Sequence, residues 1–245
     1  QQGHGGWPLN VILTPDQKPM LAMTYVPITA KYGIAGFLDV LKYAVHVGAE
    51  QKDILQPFII EQQTPSSIEE KELVASYKIH FNAHYGGFGH GPQFPPHNTL
   101  LFLLYYSQSI SDQAAKKEIL AMLEKTLDVM ATRGLHDHLQ GGFYRYCVDA
   151  VWTVPHFEKM LYDQALLLWV YSVSYKVFKK EAYKEVAEKI MQCLEQTFEE
   201  NNLYYSGHDA DTEHEEGMTY VWSKEEVQEI LSPAEFSQFS DLYLI

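Results

Sequence analysis

The segment Pro155-His156-Phe157-Glu158-Lys159-Met160-Leu161-Tyr162-Asp163 concentrates the side chains best suited to chemistry. If it is helical from about His156, then His156, Lys159 and Asp163 stand at i, i+3 and i+7 and share one face. That stripe turns apolar further on, at Leu166, Leu167 and Val170. A polar end on an apolar body is what an inner helix needs if a site sits at its amino-terminal mouth. Glu158 lies on the adjacent flank. Two carboxylates beside a cavity divide acid and base roles, because burial and like charge drive their pKa values apart. Glycosidases use such pairs, and epimerases use His or carboxylate bases. The expected catalytic set is therefore Asp163, Glu158 and His156. The same residues also permit a scaffold reading, in which Lys159 forms a buried ion pair with Glu158 or Asp163 and locks neighbouring elements.

Other polar groups suit ligand binding. His136-Asp137-His138 could hold a metal only if both rings turned to one side, and alternate residues of a loop usually do not. Hydrogen bonding in a sugar cleft suits His136 and Asp137, with a plain solvated loop as the alternative. Asp209, Asp211, Glu213, Glu215 and Glu216 form an acidic cluster. It fails as a calcium loop, since His214 stands where Gly is required and Tyr220 where Glu is required. Asp209 and Asp211 remain candidates for a substrate hydroxyl, against a solvated loop. Tyr144, Tyr146, Trp152 and Phe88 suit stacking on sugar faces, and Arg145 could instead pack under one of those rings. The expected substrate-binding set is Asp137, His136, Tyr144, Arg145, Trp152, Asp209 and Asp211. No metal site and no cofactor is expected. Cys147 has no neighbouring Cys or basic helix terminus to activate it.

The elements that must position these residues read as follows. Leu9 to Leu13 and Met20 to Tyr25 form two apolar runs around a Pro-containing turn, a β-hairpin, and Gly36 to Val47 has helical spacing. From Ser67 onward the pattern repeats. A helix over 67–81 leads to Tyr85-Gly86-Gly87-Phe88, then an apolar helix over about 97–107 and an amphipathic one over about 112–133, stopped by Gly134. Gly141-Gly142-Phe143 follows, 55 residues after the first such site. It leads to an apolar helix over about 156–177 and an amphipathic one over about 181–200, with a third loop from Leu203. One hairpin cannot bury its apolar helix alone. Stacked hairpins can, with apolar helices inside and charged ones outside. The long loops all precede the apolar helix and so gather at one mouth, which favours a ring over an open solenoid.

Composition narrows the function. The chain has 245 residues, 46% hydrophobic, with 17 Tyr and 12 Phe. That aromatic excess suits either a sugar cleft or an aromatic core. A net charge of −14 repels phosphate backbones, so no nucleic-acid partner is expected. No apolar run approaches the roughly 20 residues of a membrane span, so no membrane partner is expected. The opening residues show no basic and apolar leader. Cys147 and Cys193 stand far apart and form no disulfide framework, which favours a reducing compartment, the cytoplasm.

Several ordered segments carry a resemblance. Gly3-His4-Gly5-Gly6-Trp7-Pro8-Leu9-Asn10-Val11 resembles the stretch of thioredoxin-like proteins where a cis-proline precedes a strand. Gly86-Gly87-Phe88-Gly89 with Phe94-Pro95 resembles a first toroid loop. Leu139 to Tyr146 with Val154 to Asp163, and Asp209 to Trp222, resemble two further blocks. Together they resemble the uncharacterised family that joins a thioredoxin-like domain to a six-hairpin (α/α) toroid of the glycosidase and sugar-epimerase type, the spermatogenesis-associated thioredoxin-like group. The resemblance implies a mostly α fold, a partial toroid over 67–245 preceded by the carboxy-terminal half of a thioredoxin-like α/β domain over 1–55, and the Pro-, Gln- and Ser-rich composition of 56–66 reads as the linker between them. The resemblance also implies a carbohydrate or other small-molecule ligand. The family's Cys-x-x-Cys is absent, and a full ring needs about twice the helices found, so the chain reads as a piece of a longer protein. An open ring leaves apolar helices bare, and self-association is expected. Where the family tends to have Tyr and Gln around the loop aspartate, this chain has His136 and His138. Besides a sugar hydrolase or epimerase, the alternatives are a thioredoxin-fold redox protein in full-length form and a non-catalytic binding or scaffold protein.

Overall fold

A computed structural model describes residues 9–50 and 68–243. The chain divides into two compact units, residues 1–67 and 68–245. The expected linker at 56–66, and most of the Gly3 to Val11 segment, lie outside the described residues.

In the first unit, β1 (Asn10–Leu13) pairs antiparallel with β2 (Pro19–Met23), from Asn10 opposite Met23 to Ile12 opposite Leu21. The turn between them is tied by Thr14, whose hydroxyl oxygen accepts from Lys18 N at 2.9 Å. Helix α1 (Phe37–Glu50) follows and buries Ala44 and Val47. The hairpin and the helix expected from periodicity are both present.

The second unit is mostly helical: α2 (Glu70–His80), α3 (His97–Ser109), α4 (Gln113–Thr132), α5 (Leu161–Phe178) and α6 (Glu181–Cys193). Between α4 and α5 lie the two-residue strands β3 (Tyr146–Cys147), β4 (Pro155–His156) and β5 (Lys159–Met160). After α6 come β6 (Glu199–Glu200), β7 (Leu203–Tyr204), β8 (Gly207–His208), β9 (Asp211–Thr212) and β10 (Glu215–Glu216), then α7 (Lys224–Ile230) and α8 (Pro233–Leu242). Both terminal helices start at Ser capping boxes, Ser223 with Glu226 and Ser232 with Glu235.

The apolar helices α3 and α5 pack against each other, with α4 packed on α3 and α6 on α5. Leu100, Leu103, Leu104, Leu127, Leu167 and Val170 are wholly buried between them. Polar ties join the layers: Tyr171 on α5 donates to Leu127 O at 2.9 Å, and Tyr183 on α6 donates to Asp128 on α4 at 2.7 Å. This is the two-layer hairpin repeat expected of a partial (α/α) toroid. No helix among the described residues is long and apolar enough to cross a membrane.

Two boundaries depart from expectation. Helix α6 ends at Cys193, and a π-helical turn over Leu194–Phe198 replaces its last turn. More consequentially, α5 begins at Leu161, not near His156. Residues 155–160 are drawn into strands: β4 pairs with β3, Arg145 N donates to Glu158 O at 2.7 Å, and β5 pairs with β8. Backbone pairing with β3 and with the sequence-distant β8 overrides the local helical spacing.

Candidate functional site

Because 155–160 is extended, His156, Lys159 and Asp163 do not share a helix face, which corrects the stripe read from their spacing. Each finds a different partner.

Lys159 is almost fully buried. Its Nζ donates to Asp137 Oδ2 at 2.7 Å and to Gly141 O at 3.0 Å, and it lies over the rings of Tyr144 and Tyr220 at 5.1 and 5.2 Å. The scaffold pair is real, but the carboxylate is Asp137, not Glu158 or Asp163. Burial raises the Asp137 carboxyl, yet the Lys159 ammonium and the surrounding hydrogen bonds outweigh it and hold the group below its usual range. Burial, followed by the Asp137 carboxylate, pushes the Tyr144 phenol far up.

The loop that carries Asp137 is one of a pair. Asn82 Oδ1 accepts from His84 N and Tyr85 N, as Asp137 Oδ1 accepts from Leu139 N and Gln140 N. Asn82 N donates to Gly87 O and Asp137 N to Gly142 O, both at 3.0 Å. Phe81 bridges Phe88 as His136 bridges Phe143. A Cβ on Gly86 would meet the backbone of α4 at Lys125 and Thr126, and one on Gly141 would meet the backbone of α6 at Lys189. The repeat seen in sequence is thus a repeated loop docked on successive outer helices. One Asp137 oxygen serves that turn and the other serves Lys159, so Asp137 is chiefly structural.

Asp163, in the first turn of α5, is completely buried. His97 Nε2 lies 2.8 Å from its Oδ1, and Arg145 Nη1 lies 3.2 Å from its Oδ2. Arg145 is sandwiched between the rings of Phe94 (5.0 Å) and Tyr162 (5.2 Å). A stacked ladder continues from Phe94 to Tyr146, at 4.6 Å between centroids, and from Tyr146 to His156, at 4.9 Å. His156 Nδ1 meets Glu216 Oε1 at 2.6 Å. Glu158 is half-buried at the same edge. The structure therefore gathers Asp163, Arg145, His156 and Glu158 at the amino-terminal ends of α3 and α5. It adds His97, Phe94, Tyr162 and Glu216, which the sequence did not single out. His97 follows two prolines and carried no spacing signal. Glu216 was one of five similar acids, and its pairing with His156 spans 60 residues.

The remaining expected residues make no contact with Asp163 among the hydrogen bonds and ion pairs of the described residues. Trp152 is fully buried in the core, so its ring offers no face to a ligand, correcting the stacking role expected for it. Asp209 and Asp211 are exposed and make a local turn, Asp211 N donating to Asp209 Oδ1 at 3.2 Å. Asp211 stands opposite Glu216 in the β9–β10 pair, and so next to the Glu216–His156 contact. His136 is buried with Nδ1 on Ala131 O at 3.1 Å, and burial, then the charges of His138 and Lys189, lower its pKa to about 4. Burial and then Asp149 push the Cys147 thiol up to about 12, which leaves it unreactive. Among the described residues no group of His, Cys, Asp and Glu is arranged to hold a metal ion.

Residues 1–63 match the family described as Thioredox_DsbH, a protein of unknown function, DUF255. Spermatogenesis-associated protein 20 of Mus musculus and of Homo sapiens are each 33% identical to this chain, over 93% of it and 32% of their own length. This chain is a relative of spermatogenesis-associated protein 20. An uncharacterised protein of Caenorhabditis elegans is 36% identical over 94% of the chain and 34% of its own length. The chain thus spans about a third of the length of these relatives. Two solved structures are also similar. One is a sugar epimerase from a ruminal bacterium, with a TM-score of 0.46 and 16% identity over 56% of this chain and 37% of that one. The other is cellobiose 2-epimerase from Bacillus thermoamylovorans, at 0.46 and 17% over 57% and 39%.

Proposed function

We propose that the protein is carbohydrate-active, taking a neutral sugar or related polyol at the amino-terminal ends of α3 and α5. One observation carries this reading. Asp163 is completely buried, yet both of its partners keep part of their side chains in solvent, 14% for His97 and 25% for Arg145. A carboxylate that only locks a core has no need of partners that reach the surface. Here it aims two hydrogen-bond donors outward, beside the ring faces of Phe94, Tyr146 and Tyr162. Asp163 itself has no exposed surface with which to touch a ligand, so its role is positioning. Proton transfer falls to His156, steadied by Glu216, and to Glu158, both of which reach solvent and neither of which is held by Asp163.

Thioredoxin-type redox chemistry is a second reading, favoured by the match of residues 1–63. The sequence contains no Cys-x-x-Cys, so any dithiol for that chemistry lies outside these 245 residues.

The test uses Arg145→Lys and Asp163→Asn with a panel of neutral sugars. Arg145→Lys keeps the charge but loses the fork and the stacking. It should weaken sugar binding or turnover about tenfold or more while the melting temperature stays within a few degrees. Asp163→Asn should lower both, because it leaves Arg145 without its buried partner. Unchanged binding and turnover in a folded Arg145→Lys protein would assign the cluster to the scaffold.

A further inference from the structure

A cleft of about 220 Å³ lies between the 136–144 loop and the α7–α8 pair. Neither Asp163 nor Arg145 nor His97 lines it. We infer that it is a subsite for a single neutral, hydroxylated ring, such as one sugar residue or a cyclic polyol. This rests on the proposed reading of the protein as a sugar binder and adds a separate place where that ligand class docks.

Three features lead to this ligand. The first is the wall: Trp222, about half exposed, presents its ring beside Phe239 and Tyr243, which stack on each other with centroids 4.4 Å apart. Such rings suit the C–H face of a sugar or cyclic polyol.

The second is the hydrogen-bonding character of the opposite side. His136 Nδ1 and His138 Nε2 each lie 3.1 Å from a backbone carbonyl at the end of α4, Ala131 O and Arg133 O. A carbonyl only accepts, so each of those nitrogens carries the hydrogen, and in the neutral ring the other nitrogen is left as an acceptor. His136 Nε2 is buried and has no partner. Unused buried acceptors are rare and call for a donor. His138, half-buried and lining the cleft, keeps its acceptor nitrogen within a ligand's reach, and a hydroxyl supplies the donor where a purely apolar ligand does not.

The third is charge and size. Asp137 also lines the cleft, but its charge is matched by Lys159 at 2.7 Å. Lys159 already lies over Tyr144 and Tyr220, so those rings are engaged by a cation of the protein itself. A cationic ligand would meet that ammonium, and an anionic one would meet acceptors and the Asp137 carboxylate. The volume falls below the roughly 300–1,000 Å³ of pockets for drug-sized ligands, which sets the occupant at one ring.

Isothermal titration of the full chain with D-glucose, D-mannose and myo-inositol tests the inference. Trp222→Leu removes the exposed wall, and His138→Phe keeps a ring while deleting the acceptor. At least one probe should bind the wild type saturably, and each variant should weaken it about tenfold, the size of one lost hydrogen bond or stacking contact. Arg145→Lys should leave this binding in place. Binding that Arg145→Lys weakens while both cleft variants match wild type would overturn the subsite and leave the proposed function standing. No saturable binding of any probe would overturn both.

Discussion

Burying an ion costs several kcal/mol unless a partner replaces water. Lys159 meets that demand with one carboxylate, one carbonyl and two ring faces, and Asp163 meets it with His97 and Arg145. The difference lies in where the partners end. Those of Lys159 are themselves largely buried, whereas those of Asp163 reach solvent, so the two ion pairs differ in their access to water. His136 shows the third solution, which is to give up the charge. Its folded pKa is about 4 against an ordinary 6.5. The unfolded chain therefore binds a proton below about pH 6.5 that the folded chain refuses until about pH 4. Stability from this residue is fully present above about pH 6.5 and falls by about 3 kcal/mol as the pH drops toward 4. Denaturation midpoints between pH 4 and 7 should show this loss in the wild type and a flatter dependence in His136→Gln. Equal slopes for the two proteins would show that His136 is not the group responsible.

At the level of elements, each hairpin begins with a loop that bends into the outer helix. Gln164 on α5 clamps the second loop through both backbone groups of Phe143, accepting from its N at 2.8 Å and donating to its O at 2.6 Å. Gly142 stands beside that clamp with φ +76°, and a Cβ there would lie 2.7 Å from Cys193 Sγ and 2.9 Å from Gln164 Oε1. Gly142→Ala combines a left-handed backbone with crowding, so it should destabilise by about 1–3 kcal/mol or more. Gly91→Ala meets nothing within 4 Å and should be silent. Thermal melts of the two variants settle the point, and equal melting temperatures would mean that the loop is not held tightly against α5 and α6.

At the scale of the molecule, much apolar surface remains open. Tyr105 on α3 and Trp169 on α5 are each about half exposed and touch each other, Trp169 Nε1 donating to Tyr105 at 3.2 Å. Within the first unit Val11, Leu13, Phe37 and Val45 are exposed too. Surfaces of this kind drive association, while a net charge of −14 opposes it at low salt. The 245-residue chain should therefore associate in light scattering, and more strongly as salt screens the repulsion. A monomer at all salt concentrations would contradict this.

Apolar spacing and the recurring Gly-Gly-Phe motif determined the β-hairpin, the order of helices α1 to α6 and the 55-residue repeat, but not α7 and α8. These rest on local rules: apolar spacing sets the elements, and Gly-Gly turns with an Asn or Asp at their start set the loops. The same spacing also drew attention to Asp163, Arg145, His156 and Glu158, because charged residues beside an apolar helix are conspicuous in any sequence. What only the tertiary structure decided was which charge meets which. The spacing of His156, Lys159 and Asp163 is genuine helical spacing, but β3 takes Pro155 and His156 into one strand pair and the sequence-distant β8 takes Lys159 and Met160 into another. Lys159 thereby reaches Asp137, His156 reaches Glu216, and Asp163 is left to His97. The fate of Trp152 was hidden for the same reason, since an aromatic residue in a loop looks alike whether the loop turns toward solvent or, as here, folds into the core.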